Sequence, residues 1–191
     1  MNNALPNTAW SLRIERSLAR LERAVSWIWV VLLGVIVINV TSRYVFGQGR
    51  IEFEELQWHL YSVGFLAGIV AGVGTDAHVR VDVLRERWTV RTQAWIEWYG
   101  LLLFFFPFVA TVLFFGVPFV ASSFAASEVS VSAGGLPYRW AIKGALTAGF
   151  ALAGIAGFAR LLRVRALLFG VGSDVHGGNS AETAPPGALE R

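Results

Sequence analysis

The chain contains no cysteine among its 191 residues. Disulfides, thiolate nucleophiles, iron–sulfur clusters and cysteine-ligated zinc are therefore excluded. Histidine is also scarce: His59, His78 and His176 are the full set. Charged residues make up 15% of the chain, against about 25% in an ordinary soluble domain. The shortage is concentrated in four charge-free runs, residues 24–42, 56–75, 98–127 and 144–159. A bilayer core about 30 Å thick needs about 20 mostly apolar residues per helix. Four such runs leave too little chain for an independent soluble domain. The fold class expected is all-α: a polytopic membrane protein with four transmembrane helices and amphipathic interfacial helices.

The spans are expected at about 24–46, 55–75, 95–120 and 137–160, inside a transmembrane domain of 24–165. Residues 1–23 form an N-terminal segment with an amphipathic helix. Residues 166–191, rich in Gly, Ser, Ala, Pro and Glu, have the composition of a disordered tail. The third run exceeds one span but falls short of two plus a turn, so it reads as one overlong helix bent at Pro107. A cleavable signal peptide does not fit: the first apolar run is too long and lacks an Ala-x-Ala site.

The formal charge of +3 reads as membrane-flanking arginine, with no nucleic-acid partner. Arg13, Arg16, Arg20, Arg23, Arg80, Arg85, Arg87, Arg91, Arg160, Arg163 and Arg165 fall on one side of the expected spans. Only Arg43, Arg50, Arg139 and Lys143 fall on the other. The positive-inside rule then places both termini in the cytoplasm. Ile14, Leu18, Leu21 and Val25 recur at i, i+4, i+7 and i+11, the stripe of a helix lying on a membrane surface. The segment 78–88 is also amphipathic, and 121–136 reads as a flexible connection.

Span interiors carry few polar groups: Asn39, Thr41, Gln57, His59, Thr111 and Thr147. No proton relay or ion cage is visible, and neither is a nucleophile–base or metal-ligand constellation. An enzyme is not expected, nor a cofactor in this chain. His59 and His78 stand nineteen residues apart, about 28 Å along a helix, and cannot share one haem iron. A membrane anchor of a redox complex is the alternative reading, and it would need a partner's histidine.

Interaction signals are stronger. Glu54 and Glu55 open the second span, where carboxylates complement the helix dipole. Arg43 leaves the first span on the same side, so an Arg43–Glu54 or Arg43–Glu55 pair would join the two helices. Gly64, Gly68 and Gly72 repeat every four residues, as do Ala145, Gly149, Ala153 and Gly157. Small residues at that spacing let helix backbones approach closely, so Gly68 is expected at a tight contact, more sensitive to enlargement than Phe105 is to trimming.

The order of four motifs is more specific than any one of them: Asn39-Val40-Thr41-Ser42-Arg43-Tyr44-Val45-Phe46-Gly47, Glu54-Glu55-Leu56-Gln57-Trp58, Gly64-Phe65-Leu66-Ala67-Gly68 and Asp76-Ala77-His78-Val79-Arg80-Val81-Asp82. Together with Gly134-Gly135-Leu136-Pro137, this order resembles the small membrane subunit (DctQ type) of tripartite ATP-independent periplasmic (TRAP) transporters. The resemblance covers about 24–162. It implies a scaffold subunit of a secondary transporter in the bacterial inner membrane, importing an organic acid with a sodium gradient. Its implied partners are a large polytopic subunit, which holds sodium and substrate, a periplasmic substrate-binding protein, and membrane lipid. Arg43, Glu54, Glu55, Trp58, Gly64, Gly68, Gly72, His78, Arg80 and Asp82 are then structural or subunit-contact candidates, none of them catalytic.

Overall fold

Within lipid, a backbone can satisfy its own polar groups locally only as a helix. The computed structural model describes residues 9–75 and 88–170, and among these it holds six α-helices and no strand. They are α1 (Ala9–Ser26), α2 (Ile28–Val45), α3 (Ile51–Thr75), α4 (Val90–Gly100), α5 (Phe106–Ala125) and α6 (Arg139–Phe169). Four stretches are long and apolar enough to cross a membrane: Trp10–Val45, Ile51–Gly74, Val90–Ala125 and Arg139–Phe169.

The third stretch is one helical column, as its length implies. Between α4 and α5, Leu101–Phe105 widens into a π-helical turn in which the Phe106 N–H donates to the Leu101 carbonyl. Proline has no N–H and its ring crowds the carbonyl four residues back. The wide turn falls immediately before Pro107, where that conflict arises.

α6 runs about ten residues past the end expected for its span. Bilayer thickness sets where a span ends, but local chemistry sets where a helix ends. Gly170, at φ +65°, stops α6 and donates its N–H to the Ala166 carbonyl at 3.0 Å, a left-handed glycine cap.

The helices form an open row. α2 packs on α3, α3 on α6, and α6 on α5, while α2 makes no extended contact with α5 or α6. On α2 the seam consists of Ile28, Leu32, Val35, Asn39 and Ser42, and the residues between them are exposed. α6 is the hub. Its buried positions are mostly small (Gly149, Ala153, Ala156, Gly157 and Ala159), so neighbours approach on several sides. A Cβ at Gly149 would lie 3.1 Å from Leu66, and Phe105 packs against Gly157.

α1 continues into α2 through the single residue Trp27, whose backbone stays right-handed. It lies in the groove between α3 and α6, where Leu18 packs against Val70, Val73, Ala153 and Ala156. Leu18 of the amphipathic stripe thus meets protein, while Leu21 remains exposed. On the opposite side of the same helix pair, Tyr61, Phe65, Ile69, Leu146 and Phe150 line an uncovered groove of about 470 Å³.

Candidate interaction site

The α2–α3 turn and the α5–α6 loop meet at one end of the row. Gly47, at φ +67°, reverses the chain after α2, and Ser42 holds the turn by donating its Oγ–H to the Gln48 carbonyl at 2.9 Å. The turn brings Arg43 onto the first turn of α3, where its guanidinium pairs with Glu54. Of the two carboxylates weighed in the sequence, Glu54 is the one engaged. Arg50 adds a looser contact with Glu52 at 3.7 Å.

Glu55 faces the other way and holds the α5–α6 loop. It accepts a hydrogen bond from the Ser130 hydroxyl and another, at 2.6 Å, from the Leu136 N–H. Gly135 admits this approach, because a Cβ there would come within 2.8 Å of Glu55 Oε1. Internal bonds brace the loop further, from Ser130 N–H to the Leu136 carbonyl at 3.2 Å and from Gly135 N–H to the Ser132 carbonyl at 2.9 Å. The segment read as a flexible connection is therefore tied at several points.

Glu128 completes the cluster. Its carboxylate pairs with Lys143 and lies 3.7 Å from Arg139, and its carbonyl accepts the Arg139 N–H at 3.1 Å. The hydrogen bond from Lys143 lowers the Glu128 pKa below the ordinary glutamate range, helped by the positive charges of Lys143 and Arg139. The Lys143 ammonium also sits 3.9 Å from the Phe119 ring centroid, a cation–π contact. Glu54, Glu55 and Glu128 thus tie α2 to α3, α3 to the loop, and the loop to α6. Each of these three carboxylates is engaged, so the arrangement fixes geometry.

The other candidates are spread along α3. Gly64 lies in the α2 seam, where a Cβ would stand 2.8 Å from the Trp29 ring and 3.1 Å from Ile28. Trp58 is exposed. Gly72 is partly buried. Gly68 has open space where a Cβ would go, so the tight contact expected there does not form among the described residues. His78, Arg80 and Asp82 lie outside the described residues, as do most of the amphipathic segment 78–88 and the tail from residue 171. His59 Nδ1 lies 2.5 Å from the Glu55 carbonyl. No group of three or more metal-binding side chains occurs among the described residues.

One feature was missed in the sequence. Arg160 on α6 pairs with Glu97 on α4, with side chains only 7% and 11% exposed. One turn further, Arg163 donates to Glu15 of α1 at 3.1 Å. The arginines were read only as flanking charges. The available signal was Glu97, a lone acid at the margin of the longest charge-free run.

A search of curated proteins finds no match. The family model described as "Tripartite ATP-independent periplasmic transporters, DctQ component" matches residues 32–167. That range runs from the buried face of α2 to the last turn of α6 and contains the whole carboxylate cluster. Four apolar helices agree with a membrane component, and the chain belongs to the DctQ family, the small membrane component of the tripartite transporters.

Proposed function

We propose that this chain is the fixed scaffold of a TRAP-type transporter that imports an organic acid with a sodium gradient. The open row is the observation that carries the proposal. A self-sufficient membrane bundle closes its helices around a common interior, whereas the described helices leave two broad apolar faces open. Such a row suits bracing of a larger moving subunit. The face opposite α1, with its groove between α3 and α6, is the surface proposed to meet it. Sodium and substrate would bind the large subunit.

The arginine distribution supports an N-in/C-in topology. The carboxylate cluster then faces the periplasm, where the tied α5–α6 loop presents Val129 and Val131 to a substrate-binding protein. Affinity purification from the native membrane in mild detergent tests the reading. Recovery of a larger polytopic subunit in about equal amount is expected. Recovery alone, or with a haem-bearing partner, would overturn it.

A further inference from the structure

Two polar atoms buried in the α2–α3 seam have no hydrogen-bond partner among the described residues: Asn39 Oδ1 and Gln57 Nε2. Asn39 is 8% exposed. α2 packs chiefly on α3, so its buried face, Leu32 and Asn39 included, faces α3. Gln57 precedes Gly64 by seven residues, two helical turns, and Gly64 meets Ile28 and Trp29 of α2. Both amides therefore belong to one seam.

Their level along the seam is set by the contact of Gly64 with Ile28. Asn39 lies eleven residues beyond Ile28 and Gln57 only seven residues before Gly64, so at 1.5 Å per residue Asn39 stands about 6 Å nearer the turn than Gln57. The helices run antiparallel. Helical side chains lean toward their own N-terminus, so Asn39 leans toward the bilayer interior and Gln57 leans toward the turn. The two amides converge, one with an unused acceptor and the other with an unused donor.

We infer that Asn39 and Gln57 form a polar clamp, bridged by one buried water, that sets the register of α2 on α3. An unpaired amide in hydrocarbon is costly, while a shared one holds two helices together. The clamp fixes the level at which Arg43 meets Glu54.

A double-mutant cycle tests the clamp in the intact complex. Asn39→Leu and Gln57→Leu each strand the other amide, and each should lower the thermal midpoint by about 2–4 °C. The double variant strands neither and should lose clearly less than the sum. Additive losses would overturn the clamp. Should a single variant fail to accumulate, the absence of cysteine provides a second measurement. Asn39→Cys with Gln57→Cys should be joined by a short bifunctional thiol reagent in native membranes. Val40→Cys with Gln57→Cys should not be joined, because Val40 is on the exposed side of α2. Failure of the first pair to join, or equal joining of both, would refute the convergence.

Discussion

Glu55 and Arg43 differ in what their removal leaves behind. The Arg43–Glu54 pair is about half exposed on both sides, and exposed ion pairs contribute only about 0.2–1 kcal/mol. Glu55 instead satisfies a backbone N–H and a hydroxyl contributed from more than seventy residues away. Glu55→Ala should therefore lower the thermal midpoint in detergent more than Arg43→Ala does, and should open residues 127–137 to protease. Charge reversal is harsher than deletion: Arg43→Glu places a second carboxylate against Glu54. Membrane yield should fall, and adding Glu54→Arg should partly restore it. An unchanged yield for Arg43→Glu alone would remove the pair from the account. Glu128 provides a pH test. Its folded pKa is lowered, so its stabilisation is complete above the ordinary value of 4.5 and is lost as pH falls below the folded value. The acid-side drop in thermal midpoint should be smaller in Glu128→Gln. Of this cluster, the Arg43 link was legible because both partners flank one short turn. The Glu55 link was not, because nothing local distinguishes the loop residues that receive it.

The glycine repeats show what a helix period can and cannot specify. Four residues advance about 400° around a helix of 3.6 residues per turn, so each repeat drifts about 40°. Gly64 faces α2, but Gly68 has already turned away from it. In α6 the same drift does no harm, because α3, α1 and the α4–α5 column surround the helix and receive Gly149, Ala153 and Gly157 in turn. Spacing was readable from the sequence, whereas the number of neighbours was not. Gly149→Leu should destabilise the isolated chain, since enlarging a packed site costs about 1–3 kcal/mol, while Gly68→Leu should leave its thermal midpoint unchanged. Loss of assembly by Gly68→Leu with normal stability of the chain alone would assign that glycine to a partner contact. The ends of α6 obey the same logic: a charge count placed its span, and a cap glycine beyond the arginines placed its stop.

Across the whole molecule, the four spans were legible because a bilayer demands length and apolarity, both properties of sequence. The open arrangement was not, because lipid and neighbouring helices are equally apolar and leave the same residues behind. The buried Glu97–Arg160 pair stayed hidden for a related reason: an arginine just past a span looks the same whether it meets water or a carboxylate. Arrangement decides which surface can meet a partner. α1 fills the α3–α6 groove on one side, and on the other side the groove beside Tyr61, Phe65 and Leu146 is empty. Leu146→Trp fills that groove from its half-open rim, where Leu146 is 43% exposed, without entering the chain's own packing. Val37→Trp places an equal bulk on the outer face of α2, which is 55% exposed. Both variants should match the parent chain in thermal midpoint when purified alone. Co-purification should separate them: Leu146→Trp should recover markedly less of the large subunit, and Val37→Trp should recover the same amount as the parent. The reverse result would move the bracing surface to α2. In that case the α3–α6 groove would face lipid, and the large subunit would approach along the edge of the row.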